Sequence, residues 1–216
     1  MALGFTPYLA VYVLRSIFSK ELCKDMIRLL VNTYKSDSQA RATELYKCFL
    51  FNKELTFLTI HDIQPRPTYN DYFKVICHKI GKGYFSNDDI FLIANSDIYF
   101  DETLLLANQI KHGEVYALTR YDIKRGQARF FDRPDSQDVW IFRGGINPIE
   151  GADFHLGVGG CDNRIAYLLN KAGYKVTNPS LSIKTYHLHE SGIRTFDYKK
   201  HKVVPPPYLT LKPISL

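Results

Sequence analysis

Three short stretches of this 216-residue chain carry side chains capable of chemistry at spacings that would gather them. The first is Ile90–Asp101, IFLIANSDIYFD, where an apolar run ends directly in Asn95-Ser96-Asp97. A carboxylate at the carboxyl end of a buried strand lies where open α/β sheets receive ligands. Such an acid can share a divalent ion with phosphates, because Mg2+ or Mn2+ takes oxygen ligands in octahedral geometry. Asn, Ser and Asp also favour turns, so Asp97 has a second reading as the residue that merely ends the strand.

The second stretch is Phe154–Arg164, FHLGVGGCDNR, directly before the helical pattern IAYLLNKAG. Gly157, Gly159 and Gly160 would let a bulky ligand approach the backbone. Asp162 then stands at the mouth of a helix, as a proton acceptor or as an N-cap. In the third stretch, Thr185–His189, strand alternation puts His187 and His189 on one face, as a ligating pair or as surface residues. His187 is the nearer to the apolar run.

The elements that must position these residues alternate strand and helix. The apolar run Tyr8–Leu14 reads as a first strand. Ser19 reads as the cap of a helix with a stripe of Leu22, Met26, Leu29 and Leu30. A second helix is predicted over Arg41–Asn52, a strand over Phe57–Ile63, and a helix from Thr68 to about His78, opened by the capping-box spacing Thr68/Asp71. Asp89–Ala94 is the clearest buried strand. A helix over Asp101–Lys111, a strand over Glu114–Thr119, a basic loop over Arg120–Pro134 and a short strand over Val139–Phe142 follow. Gly144–Gly160 is irregular, Asn163–Ala172 is a helix stopped by Gly173, and Tyr174–Thr177 and Ser182–His187 close the pattern as strands. This order predicts an α/β fold with a mostly parallel central sheet flanked by helices. Residues 1–200 read as a single domain, and 201–216, with Pro205-Pro206-Pro207, as an extended tail or linker.

Composition narrows the class. Fifteen Tyr, 14 Phe and 45% hydrophobic residues exclude a disordered chain, and a net charge of +6 favours anionic partners without choosing among them. The four cysteines, Cys23, Cys48, Cys77 and Cys161, are scattered, which argues against a zinc cluster and for a reducing, cytoplasmic location. No run reaches the roughly 18–20 apolar residues needed to span a bilayer, and the first residues lack the basic segment and cleavage site of a secretory signal.

The order of these motifs resembles the GT-A-fold glycosyltransferases, with Asn95-Ser96-Asp97 in the slot of their DxD-type motif. Asn95 departs from the acid usual at the first position, which leaves Asp97 as the acid for metal. The glycine loop with Asp162 is similar to the family's acceptor-side motif, whose acid is the base in inverting members. His187 or His189 would fill the place of a C-terminal metal-binding histidine. The segment Ser136–Trp140 also looks like that superfamily: Asp138 would hold sugar hydroxyls and Trp140 would be a stacking platform, against readings as a turn residue and a core residue.

By topology Arg15, Asp62 and Arg66 are expected at the donor, with Asn95 and Ser96; Gly159, Gly160 and His189 are expected towards the acceptor or sugar. The basic run Arg194–Lys202 reads as a lid over diphosphate or as a solvated face. The compact glycosyltransferases of large DNA viruses, algal viruses included, and of phages are the relatives the chain resembles. That resemblance implies a hexosyltransferase-type enzyme with a UDP-sugar donor, Mn2+ (or Mg2+), a glycan or glycoprotein acceptor and a place in the host cytoplasm. A glycosyltransferase acting on DNA bases, and a non-catalytic nucleic-acid or carbohydrate-binding module, are the alternatives. A nucleotidyltransferase is disfavoured because Arg15–Lys20 contains no glycine, and a phosphatase because Tyr99 stands where a second acid belongs.

Overall fold

The computed structural model describes residues 26–193 and 203–216. The expected strand Tyr8–Leu14, Arg15, Cys23 and the run Arg194–Lys202 lie outside them. In chain order the elements are β1 (Ile27–Val31), α1 (Gln39–Glu54), β2 (Leu58–Asp62), α2 (Tyr69–Gly81), β3 (Ile90–Ala94), β4 (Ile98–Phe100), a 3-10 helix (Glu102–Gln109) and β5 (Glu114–Leu118). Then come β6 (Tyr121–Lys124), β7 (Gln127–Phe130), β8 (Val139–Arg143), α3 (Cys161–Lys171), β9 (Lys175–Thr177) and β10 (Thr185–His187).

Six strands form a central sheet in the order β2-β1-β3-β8-β5-β9. β8 runs antiparallel to β3 and β5, and the other pairings are parallel. Strand alternation divides the core between the two faces. Leu30, Phe91, Ile93, Trp140 and Phe142 pack against α2 and α3, while Ile27, Leu29, Leu92, Ile141 and Leu118 pack with Leu104 and Ala107 of the 3-10 helix. The chain is thus mixed α/β with a covered, mostly parallel sheet. Among the described residues no helix is long and apolar enough to cross a membrane.

Two expectations are corrected. Leu29 and Leu30, expected on one helical stripe, belong to β1 and face opposite sides of the sheet. A short apolar run is ambiguous between the two periods, and here the parallel neighbours β2 and β3 decide it. The expected basic loop Arg120–Pro134 contains the hairpin β6–β7, turning at Arg125 and Gly126 with φ of 52° and 72°. Two successive positive φ values fit a tight turn whose twist matches the strands. Its strands are four residues long and carry charges, β6 half-buried and β7 mostly exposed, so they show no clear apolar alternation. β6 and β7 join β4 and β10 in a second sheet, β4-β10-β6-β7.

Helix α1 is polar on its buried side. Arg41, Glu44, Cys48 and Asn52 face inward, while Tyr46, Phe49, Leu50 and Phe51 are exposed. Asn52 donates to the Ile98 carbonyl at 2.9 Å and accepts from the Phe100 amide at 3.1 Å, so it completes the backbone bonding of β4. Residues 203–216 hold no regular element, and their backbone bonds back to earlier segments. Val204 donates to the Gly159 carbonyl (2.8 Å), Leu209 to that of Asn163 (3.0 Å) and Leu211 to that of Pro134 (2.7 Å). Leu211 itself is buried.

Candidate active site

The turn between β3 and β4 and the end of β10 build the acidic and imidazole cluster. β10 lies between β4 and β6, with His187 opposite Ile98 on one side and Asp122 on the other. Leu188 donates its backbone N–H to the Asp97 carbonyl at 3.0 Å, which clamps the two turns together. Asp97, 8% exposed, meets His187 Nε2 at 3.1 Å and His189 Nδ1 at 3.8 Å through Oδ2. The same oxygen accepts from the guanidinium of Arg41, which also donates to Glu44, to the Leu188 carbonyl and to the Tyr34 hydroxyl. Glu44 in turn accepts from the backbone and side chain of Ser191, fixing the segment that carries His189.

Behind His187, Nδ1 lies 3.0 Å from Asp122 Oδ1, and that oxygen accepts from Arg120 Nε at 2.7 Å. Arg120 reaches on to Asp138 Oδ2 at 2.9 Å. Negative and positive side chains therefore alternate without a break from Asp138 to Glu44. Burial alone would raise the Asp97 pKa, but His187 and Arg41 outweigh it and hold this carboxyl far below the usual range. Burial works against an imidazolium at His187, yet hydrogen bonding to Asp122 and Asp97 pushes its pKa up to about 9.

Asp162 lies in the first turn of α3, two residues after the N-cap Gly160, so it is not the capping residue. Gly160 has φ of 79°, and a Cβ there would come within 2.7 Å of the Val204 carbonyl oxygen, which only glycine avoids. Burial and the nearby charge of Asp138 push the Asp162 carboxyl up to about 7, against the opposing pull of Cys161, the Gln137 backbone and Arg120. A carboxylate so poised suits proton transfer near neutral pH.

One cleft of about 1120 Å³ brings the two motifs together: Asn95, Ser96, Asp97, His187 and His189 line it, as do Asp138, Gly159, Gly160 and Asp162. Arg66 lines it too, and donates to the Leu156 carbonyl at the entry of the glycine loop. Asp62 does not line the cleft. Its carboxylate anchors the loop after β1 by accepting from the Thr33 N–H (2.8 Å) and hydroxyl (2.7 Å), while Thr33 and its neighbours face the cleft. Trp140 is corrected: on the central strand β8 and 1% exposed, it has no ring face open to a sugar. The aromatic rings at the cleft include those of Tyr34 and Phe131. The three described cysteines, Cys48, Cys77 and Cys161, are free.

The sequence reading missed Arg41, Glu44, Arg120 and Asp122. The polar stripe at positions 41, 44, 48 and 52 of an otherwise aromatic helix was a usable signal for the first two. Arg120 and Asp122 gave none, because their hairpin was unread.

The cluster of Asp97, His187 and His189 offers a carboxylate oxygen and two imidazole nitrogens within 4.8 Å of one another, a geometry open to a divalent ion. Metal-ligating histidines are regularly held by a carboxylate on the other ring nitrogen, as Asp122 holds His187. No family model matches the chain, and no curated protein matches it. Among solved structures it is similar to a 4-diphosphocytidyl-2C-methyl-D-erythritol synthase, at 9% identity, with 82% of this chain and 96% of that chain covered and a TM-score of 0.39. A likeness at that score carries no weight for fold family or activity.

Proposed function

We propose that the chain is a metal-dependent glycosyltransferase of the GT-A type, moving a sugar from a UDP-sugar to an acceptor hydroxyl with inversion. The observation that carries this reading is the single cleft in which a metal-competent Asp97/His187/His189 group and a carboxyl poised near neutrality, Asp162, are both exposed to one ligand-sized space. Two imidazoles in the donor set favour Mn2+ over Mg2+, which prefers oxygen throughout. A bound ion would neutralise the charge that grows on the departing diphosphate. His187 and His189 would supply nitrogens to hold it, and Arg41 keeps Asp97 ionised.

The rest is the chain's own chemistry. Asp162 takes the proton of the acceptor hydroxyl as its oxygen bonds to the anomeric carbon and the bond from that carbon to the diphosphate oxygen breaks. One displacement inverts the anomeric centre, through a transition state of oxocarbenium character. Asp138 and the glycine loop hold the hydroxyls beside Asp162, and Arg66 and Ser96 serve the donor side. An acceptor in glycan synthesis fits the same reading, while Arg15, expected at the donor, lies outside the described residues.

Calorimetric titration of UDP with and without Mn2+, on wild type and Asp97→Ala, tests the proposal. Binding that requires Mn2+ and disappears in the variant is the expected result. If neither UDP nor any other nucleoside diphosphate binds, the donor site is lost and a carbohydrate- or nucleic-acid-binding module takes its place.

A further inference from the structure

Arg120 stands where the two halves of the cleft meet. Its Nε donates to Asp122 Oδ1 at 2.7 Å, the oxygen that also contacts His187 Nδ1 at 3.0 Å. Its NH1 donates to Asp138 Oδ2 at 2.9 Å, and its guanidinium lies 4.4 Å above the ring of Phe131. A planar fork stacked on an aromatic ring has little freedom to turn, so the two carboxylates, one on β6 and one at the entry to β8, are held at a set separation.

We propose that Arg120 is the positioning residue that joins the two halves: one edge of its guanidinium fixes Asp122 behind His187, and the other fixes Asp138 in the cleft it shares with Asp162. This rests on the reading of the cleft given above. Through Asp122, Arg120 sets the orientation of the His187 ring, and so the direction in which Nε2 faces an ion. Through Asp138 and its own charge, it balances the field at Asp162. The groups facing Asp162 are Asp138 from the β7–β8 connection, Arg120 from the start of β6, Cys161 on α3, Tyr69 on α2 and the backbone N–H of Gln137. Asp138 makes a proton on Asp162 easier to hold and Arg120 makes it harder. Removing the guanidinium leaves Asp138 unopposed.

The test uses Arg120→Met, Arg120→Lys and Asp138→Asn in the full chain, with two readouts: Mn2+ affinity in the presence of UDP, and the pH profile of Mn2+-dependent UDP release from a UDP-sugar. Arg120→Met is expected to weaken Mn2+ binding by about 10-fold. It should also move the rising limb of the profile up by about one pH unit. Arg120→Lys keeps the charge without the fork, so its limb stays near that of wild type while Mn2+ binding weakens. Asp138→Asn moves the limb the other way, to lower pH.

A folded Arg120→Met with both readouts at wild-type values overturns the positioning role. Should that variant fail to fold, unchanged Mn2+ affinity in Arg120→Lys together with an unmoved limb in Asp138→Asn overturns it equally. Wild type that binds no Mn2+·UDP overturns the reading of the cleft, and this role with it. Wild type that binds, with variants that do not respond, removes the positioning role alone.

Discussion

Asp162 shows what one side chain owes to its neighbours. Its carboxyl sits at about 7 because burial and Asp138 both disfavour its charge. Below that pH it holds its proton and cannot accept another, so transferase activity is expected to rise with pH through about 7. Asp162→Asn should lower the turnover of a UDP-sugar by about 10²–10⁴-fold while leaving calorimetric binding of Mn2+·UDP intact. The same substitution has a stability signature. A carboxyl whose folded pKa is raised favours the folded state fully below its unfolded value of about 3.9, and that advantage is lost as pH rises through the folded value. Asp162→Asn is therefore expected to raise the melting temperature at pH 8 relative to wild type, and to raise it less at pH 5. A variant less stable than wild type at pH 8 would show that the Asp162 charge is well accommodated.

At the scale of elements, α1 and the glycine loop carry the site. α1 turns its polar residues inward because the β3–β4 turn and the edge of β4 need partners: Arg41 for Asp97, Asn52 for the backbone of Ile98 and Phe100. A buried guanidinium of this kind stabilises little by itself, but removing it would strand Asp97. The glycine loop is shaped from outside. A Cβ at Gly160 would meet the strap at Val204 and at Tyr208, whose hydroxyl donates to the Val204 carbonyl. Gly160→Ala forces a left-handed residue, costing about 1–2 kcal/mol, and also a collision with the strap. It is expected to lower the melting temperature and to abolish acceptor-dependent turnover more than Mn2+·UDP binding. Equal losses in both would mean that the loop serves the donor as well.

Across the whole molecule, residues 203–216 tie the cleft wall at Gly159 and Asn163 to Pro134 and Asn178 outside it. They bond to Gly159 before α3 and Asn163 in its first turn, to Pro134 before β8 and to Asn178 after β9. Leu211 is the buried anchor of this strap in the core formed by α2 and α3. Leu211→Ala is expected to cost about 2–5 kcal/mol in denaturant unfolding and to lower acceptor turnover at a temperature where the variant is still folded. Full activity in a destabilised but folded variant would limit the strap to a packing role.

Local order was legible in the chain. The apolar run into Asp97, the Thr68/Asp71 capping box, the glycines before α3 and the strand bearing His187 are set by residues adjacent in the chain, and all stand where their spacing puts them. The turn after β10 brings both His187 and His189 near Asp97. The partners came from the folded arrangement alone. Arg41 is 56 residues from Asp97 and Asp122 is 65 from His187, and no local pattern encodes a contact between segments so far apart in the chain. β1 and the β6–β7 hairpin were illegible for the same reason. Their short segments take strand form because neighbouring strands supply the hydrogen bonds, a preference their own side chains are too few, or too charged, to declare.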